Sequence, residues 1–359
     1  MPGDYDVVVE PGALDRLPSL LAEAAPAHRY AIIADTTVAG LYGERVRSGV
    51  EAAGTRADLF TFPAGEAHKT REHWAELTDA LLEAGMGRDG AVIALGGGVT
   101  GDLAGFVAAT FMRGVSLVQV PTSLLAMVDA SVGGKTGVDV PGGKNLVGAF
   151  HPPRLVVADP TLLATLPDTE LRAGLAEAVK HGAIADPEYL GAIRDGAGRL
   201  LRADPAALAA VVQRSVEIKA GFVAADPYEQ GARKALNFGH TIGHAIEALT
   251  GYAVPHGYAV AIGMVAEAEI GEAIGLTAAG TAGELRAALA SLGLPTDLPP
   301  EVDPAAAVEW ATRDKKVRRG RTRYTLLARI GEVARAPEGD WSIPVDDDIV
   351  VATLSGAIA

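Results

Sequence analysis

Ala91-Val-Ile-Ala-Leu-Gly96-Gly-Gly-Val-Thr-Gly-Asp102-Leu-Ala-Gly-Phe-Val-Ala-Ala-Thr-Phe111 is the stretch that decides the fold. Ala91 to Leu95 reads as a buried strand, Gly96 to Gly98 as a tight turn, and Leu103 to Phe111 as a helix. A strand, a glycine turn and a helix in direct succession form the connection that phosphate-binding α/β folds use. Glycine lets the backbone approach phosphate oxygens, and the free N–H groups and dipole at the helix start favour an anion. The spacing is not that of the Rossmann fingerprint G-x-G-x-x-G, so taken alone the turn is equally a plain strand-to-helix connection.

Outward from this stretch, the N-terminal part alternates short apolar runs with amphipathic ones. The runs are Tyr5 to Val9, Tyr30 to Ala34, Leu59 to Phe62, Ala91 to Leu95, Val115 to Val120 and Leu155 to Ala158. Such alternation predicts an α/β domain with a Rossmann-like parallel sheet over residues 1–158. From Pro160 onward the apolar positions recur at three and four residues through Glu170 to Ala183, Ala206 to Ala224, Ala232 to Leu249, Ala259 to Ile274 and Ala282 to Leu292. That period predicts a mostly α-helical domain over residues 159–359. A hairpin is expected within it at Arg323 to Arg335, turning at Gly331, and Trp341 to Ala359 carries no legible motif.

Composition narrows the function classes. The chain has 359 residues and no cysteine, so a metal would have to be held by His, Asp or Glu, and thiol nucleophiles are excluded. A net charge of -14 argues against a general nucleic-acid surface, because neutralising phosphates takes clustered Lys and Arg. The apolar runs stop well short of the ~20 residues of a spanning helix, and Met1 to Glu10 lacks a basic region followed by an apolar one. The expectation is a cytoplasmic protein with no membrane segment.

A second glycine-bearing turn, Pro63-Ala-Gly-Glu-Ala-His-Lys69, and Asp102 strengthen the phosphate reading of the first. Ser131-Val-Gly-Gly-Lys-Thr136 resembles a P-loop, but Asp129 stands where that motif requires glycine, and no clear strand immediately precedes it. An NTPase is therefore rejected. The segment reads instead as a loop carrying Asp129, Lys135, Lys144 and Asn145 amid seven glycines or prolines between 133 and 148. Loops on a rigid scaffold often host sites, and a solvated pair of lysines is the bland alternative.

Three of the eight histidines fall in Asn237-Phe-Gly-His-Thr-Ile-Gly-His244 and Pro255-His256-Gly. Helical spacing puts His240 and His244 on one face, one turn apart, which suggests a metal pair. A core histidine or a phosphate-binding histidine remains an alternative for either. A carboxylate would complete an open three-ligand site. Glu177 is a candidate because an unpaired acid in its apolar helical stretch would be costly, and Glu247 competes with it.

At these residues the chain closely resembles the 3-dehydroquinate synthase family, over essentially its whole length. The resemblance is carried, in order, by Gly96 to Gly114, Gln119-Val-Pro-Thr-Ser123, Val128 to Gly137, Gly143-Lys-Asn145, Leu175 to Gly182, Asn237 to His244, His256-Gly and Asp314-Lys-Lys316. It implies metal ligation by Glu177, His240 and His256, with zinc or cobalt as the ion, and moves His244 to the substrate phosphate. Around that phosphate it places Arg113, Lys135, Asn237 and one of Lys315 or Lys316, with Arg113 reaching across a homodimer interface. Asp129, Asn145, Lys180, Lys219, Glu229 and Arg233 would line the sugar and carboxylate end. Lys135, Asn237, His244, Lys180 and Glu229 are the implied catalytic set. NAD would lie on Gly98, Val99, Thr100, Gly101 and Asp102, with Glu66, Lys69, Thr122, Ser123, Lys135, Lys144 and Thr165 contributing.

The implied reaction converts 3-deoxy-D-arabino-heptulosonate 7-phosphate to 3-dehydroquinate and phosphate. It proceeds by transient oxidation with NAD, phosphate elimination, reduction and an intramolecular aldol closure. Other sugar phosphate cyclases share the scaffold, but Lys219 and Arg233 give a substrate carboxylate somewhere to bind. A metal-dependent polyol dehydrogenase is a rival from another reaction class, and it would need no lysine-rich phosphate pocket. A dinucleotide-sensing module would need no metal set.

Overall fold

The computed structural model describes residues 5–357 apart from 314–321, so Lys315 and Lys316 lie outside the described residues. By packing, the chain divides into two compact units, Met1–Leu166 with Leu208–Gln213, and Pro167–Ala207 with Arg214–Ala359. The first division falls beyond Ala158, because Leu162 is buried in the core of the first unit.

The first unit is built on strands β1 (Asp6–Val9), β2 (Arg29–Asp35), β3 (Arg56–Phe62), β4 (Ala91–Gly96), β5 (Ser116–Pro121) and, past an inserted hairpin, β8 (Leu155–Ala158). Their order is β1-β8-β5-β4-β2-β3, and every pairing is parallel. Alternate residues of each strand enter different cores. Ile32, Ile93, Leu95, Val118 and Val120 pack on one face with Leu17, Leu21 and Val50. Ile33, Val92, Ala94 and Leu117 pack on the other with Leu77, Leu81, Leu103 and Val107. Burial on both faces is why these strands read as continuous apolar runs.

The segment expected to be a loop between 133 and 148 is instead an antiparallel ribbon, β6 (Lys135–Val140) with β7 (Gly143–Phe150). Glycine makes the pairing possible. A Cβ at Gly148 would lie 2.1 Å from the Thr136 carbonyl oxygen, and one at Gly137 would lie 2.8 Å from that of Val147. Reading the glycines as irregular backbone missed that they let two strands close on each other.

The second unit is dominated by helices Asp168–Ala185, His240–Leu249, His256–Ala273 and Thr281–Ser291, and it takes the Pro205–Ala225 helix apart from Leu208–Gln213. The expected continuous helix from Ala232 to Leu249 is broken. A 3-10 segment spans Ala232–Asn237, and the α-helix restarts at His240 after Gly239, whose φ of +79 no regular helix accommodates. The expected hairpin survives in part. Leu327–Arg329 pairs with Glu332–Val333 around Gly331, whereas Arg323–Tyr324 pairs with the distant Ile343–Pro344. Among the described residues no helix is long and apolar enough to cross a membrane.

Candidate metal and anion centre

Three helices of the second unit bring one cluster together, and glycine sets how closely they pack. Gly257, beside His256, rests on the Asp168–Ala185 helix, where a Cβ would lie 2.2 Å from the Ala173 carbonyl oxygen. Glu177 follows Ala173 by one turn. Gly263 lies against the turn before the His240–Leu249 helix, with a Cβ there 2.0 Å from the Gly239 carbonyl oxygen. Side chains at Gly257 or Gly263 would push apart the helices that carry Glu177, His240 and His256.

The donor atoms of Glu177, His240 and His256 all lie within 4.8 Å of one another. Glu177 Oε1 is 3.3 Å from His256 Nε2 and 3.5 Å from His240 Nε2. Two ligand atoms bonded to one tetrahedral zinc at ~2.0–2.1 Å stand about 3.3–3.4 Å apart, so these donors sit at the spacing of a tetrahedral edge. The other Glu177 oxygen, Oε2, pairs with Lys180 one turn on, and both side chains are almost fully buried. One carboxylate oxygen thus faces the two imidazoles while the other is tied to a cation.

Each imidazole is oriented through its far nitrogen. His240 Nδ1 lies 3.1 Å from the Phe238 carbonyl oxygen, and His256 Nδ1 lies 3.1 Å from Glu247 Oε2. A carbonyl or carboxylate on the far nitrogen is the usual arrangement behind a metal-ligating histidine. Burial and the Lys180 charge hold the His240 imidazole well below its ordinary range. For His256 burial acts in the same direction but loses to the hydrogen bonds the ring donates to Glu177 and Glu247, which push it up to about 10.

His244, Glu247 and His256 form a second group with donors close enough to hold an ion. The rings of His240 and His244 meet edge to face with centroids 5.3 Å apart. Helical spacing therefore does bring these two together, but Glu177 is the carboxylate shared by His240 and His256. Glu247, the competing acid, faces the Nδ1 side of His256.

Other predicted residues of this unit gather around a turn. The Asp226 carboxylate accepts the N–H groups of Gln230, Gly231 and Arg233, and Glu229, just before Gln230, takes a left-handed φ of +58. Glu229 Oε1 accepts from the Asn237 amide at 2.7 Å. Arg233 and Lys219 are buried, and Arg233 also donates to the Pro227 carbonyl at 2.8 Å.

In the first unit the glycine turn leads directly into the Gly98–Thr110 helix, with Gly98, Val99, Thr100, Gly101 and Asp102 in its opening turns. Gly96 tolerates no side chain, because a Cβ would lie 2.3 Å from Thr100 Oγ1, and at Gly97 it would lie 3.3 Å from Ser123 Oγ. The Thr122 N–H donates to the Gly96 carbonyl at 2.9 Å, which fastens the end of β5 to the turn. Lys69 is buried among Glu66 at 2.9 Å, Asp102 at 3.3 Å and Asp139 at 3.6 Å, and Lys144 approaches Glu66 at 3.8 Å. Burial disfavours the Lys69 charge, yet Asp102 and Glu66 outweigh it and hold the ammonium above the usual lysine range. Asp102 is pushed up by burial to about 6 against the pull of Lys69.

Asp139 was not anticipated. It closes this cluster and also accepts the Asn145 N–H at 2.8 Å, where Asn145, inside β7 at the register shift of the ribbon, holds φ of +55. Lys135 and Lys144 are exposed on the ribbon, and Asp129 lies in the Ala126–Ala130 turn. Thr165 Oγ1 meets the Tyr42 hydroxyl at 2.7 Å. Arg113 is exposed and follows Met112, both in left-handed conformations with φ of 67 and 50.

The family models and the sequence relatives name one family. Residues 59–173 match the 3-dehydroquinate synthase N-terminal family model, and residues 174–317 match the 3-dehydroquinate synthase C-terminal model. A 3-dehydroquinate synthase of Symbiobacterium thermophilum is 50% identical over 337 residues, which cover 93% of this chain and 94% of that protein. Among solved structures, 2-deoxy-scyllo-inosose synthase complexed with carbaglucose-6-phosphate, NAD+ and Co2+ superposes with a TM-score of 0.91 at 26% identity, covering 98% of this chain and 96% of that one. The 2-epi-5-epi-valiolone synthase of Streptomyces hygroscopicus with NAD+ and Zn2+ gives 0.87 at 30% identity, with 99% and 97% covered.

Proposed function

The chain belongs to the 3-dehydroquinate synthase family, and on that premise we propose that it converts 3-deoxy-D-arabino-heptulosonate 7-phosphate to 3-dehydroquinate and phosphate. The reaction class is a phosphate-eliminating carbon–oxygen lyase, with NAD and one divalent ion, zinc or cobalt, as cofactors. The observation that carries the reading is the spacing of Glu177 Oε1 at 3.3 and 3.5 Å from the two imidazole Nε2 atoms.

Glu177, His240 and His256 would hold the ion. Gly98 to Asp102, with Glu66, Lys69, Thr122, Ser123, Lys135, Lys144 and Thr165, would hold NAD. When bound, the metal favours the alkoxide form of a substrate hydroxyl, and NAD accepts and returns a hydride.

The rest falls to the chain's own side chains. Lys180 neutralises the Glu177 oxygen turned away from the imidazoles and keeps that carboxylate from rotating. Glu229 fixes the Asn237 amide through its 2.7 Å hydrogen bond, so Asn237 offers an oriented polar group. Lys135, Asn237, His244 and Arg113, with Lys315 or Lys316, serve the phosphate, where fixed cations and donors stabilise the charge of the leaving group. Asp129, Asn145, Lys180, Lys219 and Arg233 serve the hydroxyls and the carboxylate. The working protein is a cytoplasmic homodimer to which Arg113 contributes across the interface.

A sister sugar phosphate cyclase is the second reading, favoured by the TM-score of 0.87 at 30% identity to 2-epi-5-epi-valiolone synthase. Phosphate release separates the two. The proposed activity releases phosphate from the heptulosonate phosphate and none from sedoheptulose 7-phosphate, which lacks the carboxylate that Lys219 and Arg233 are assigned. Turnover of sedoheptulose 7-phosphate alone would transfer the chain to the sister activity.

A further inference from the structure

The His256–Ala273 helix carries a second acid, Glu267, three turns beyond His256, and this side chain ends against the start of another helix. Glu267 has no solvent exposure and is flanked on its own helix by buried Met264, Ala266, Ala268 and Ile270. One carboxylate oxygen accepts the Gly239 N–H at 2.8 Å. The other accepts the Thr241 N–H at 3.0 Å and lies 3.4 Å from the Ile242 nitrogen. These amides bracket His240, the first residue of its helix.

A carboxylate in this setting answers two problems at once. The first N–H groups of a helix have no partner within it, and left buried each costs free energy comparable to a lost hydrogen bond. The N-cap residue here is glycine, which offers no side chain to accept them. The same helix end also carries a partial positive charge, which opposes a divalent cation held by the first residue of that helix. Glu267 accepts the orphan amides and places a negative charge beside that positive end. The Phe238 carbonyl engages His240 Nδ1 at 3.1 Å, so the backbone on both sides of His240 is fixed while Nε2 faces Glu177.

We propose that Glu267 is the positioning residue for the metal ligand His240, tying the start of that helix to the helix that supplies His256. The inference rests on the proposed metal site of Glu177, His240 and His256. One helix then supplies a ligand at its first residue and, further along, the carboxylate that fixes another ligand in place.

The test uses the full chain stripped of metal, titrated with Co2+ while the visible d–d bands report coordination geometry. In Glu267→Gln one oxygen becomes an amide donor that cannot accept the opposing N–H. Co2+ affinity should fall about 10- to 100-fold, as it does when outer-shell partners of metal ligands are lost. The d–d spectrum should shift, and Glu267→Asp, which retains the charge on a shorter arm, should recover part of the loss. A purely structural cap would lower the melting temperature and leave the Co2+ affinity and spectrum of the folded fraction as in the parent, and that result would overturn the proposal. If neither variant folds, hydrogen exchange on the unaltered protein decides. Added Co2+ should increase protection of the Gly239 and Thr241 amides, and unchanged protection would sink the idea. Glu177→Gln is the control for the site itself. Tight Co2+ binding retained in that variant defeats the metal reading, whereas loss there with full retention in Glu267→Gln defeats this inference alone.

Discussion

Glu247 Oε2 stands 3.1 Å from His256 Nδ1, while Nε2 of the same ring stands 3.3 Å from Glu177 Oε1. The imidazole is held between two carboxylates, which push it up to about 10 against the effect of burial. At pH 8 the metal-free ring therefore carries a proton that a metal ion must displace, because only the neutral imidazole ligates. We predict release of about one proton per site from His256 on metal binding at pH 8, with affinity falling as the pH is lowered. Calorimetric titration in buffers of different ionisation enthalpy measures the proton count directly. Identical heats in all buffers would mean that the ring was already neutral. In Glu247→Gln the count should drop, and metal affinity should weaken about 10- to 100-fold.

The two candidate metal groups share His256, so substitutions outside that residue separate them. Glu177→Gln should lose tightly bound metal, whereas His244→Ala should keep it and lose affinity for the substrate phosphate instead. Metal content after desalting gives the answer. The reverse pattern would assign the ion to His244, Glu247 and His256.

Gly257→Ala tests whether backbone contact between helices sets the site. The new Cβ would lie 2.2 Å from the Ala173 carbonyl oxygen and 2.5 Å from its Cα, and no flexible side chain is there to yield. Overpacking of this kind costs about 1–3 kcal/mol, occasionally more. The helix bearing Glu177 must shift relative to His256, so metal affinity should fall together with the melting temperature. A folded variant with parental metal affinity would show that the contact is not what spaces the ligands.

How much of this could be read from the sequence depends on the range of the forces involved. The parallel sheet was legible because strands buried on both faces must be apolar throughout, and Ile32, Ile33, Val92 and Ile93 leave little alternative. Spacing alone nominated His240 with His244, since helical periodicity shows only neighbours on one helix. The pairing of Glu177 with His256 is set by Gly257 against Ala173, a contact between helices that no local pattern reports. Glu267 did leave a signal. It is an acid within an apolar helical run, the same argument that singled out Glu177, and its partners are backbone N–H groups that carry no residue-specific mark. The β6–β7 ribbon was missed because its glycines serve close strand approach, which resembles a flexible loop when only composition is considered.

Asp102 ties the proposed NAD site to stability. Its folded pKa, raised to about 6 by burial against the pull of Lys69, exceeds the ordinary aspartate value of 3.8. A carboxyl raised in this way favours the folded state fully below pH 3.8, and the contribution is lost as pH rises through about 6. Above that pH the charged Asp102 is a destabilising group. Asp102→Asn should therefore raise the melting temperature of the NAD-free protein more at pH 7.5 than at pH 4.5, while weakening NAD binding. An equal shift at both pH values would show that the carboxyl does not titrate in this range.

Arg113 offers the same trade between stability and function in a different form. It follows Met112 at the end of the Phe111–Arg113 turn, and both residues hold left-handed φ values of 67 and 50. For a residue other than glycine that conformation costs about 1–3 kcal/mol, and such strain persists where surrounding structure or function demands it. Arg113→Gly adopts the conformation freely but loses more chain entropy on folding, about 0.5–1 kcal/mol. The melting temperature should stay level or rise slightly. Loss of the guanidinium should raise KM for the phosphate substrate far more than it changes NAD affinity. If the side chain reaches a partner subunit, the parent should scatter light as a dimer, and mixing Arg113→Gly with a Glu177→Gln chain should restore part of the activity by forming one intact site per mixed dimer. A monomeric parent with full activity would remove the cross-subunit role and leave the strain at Arg113 without that explanation.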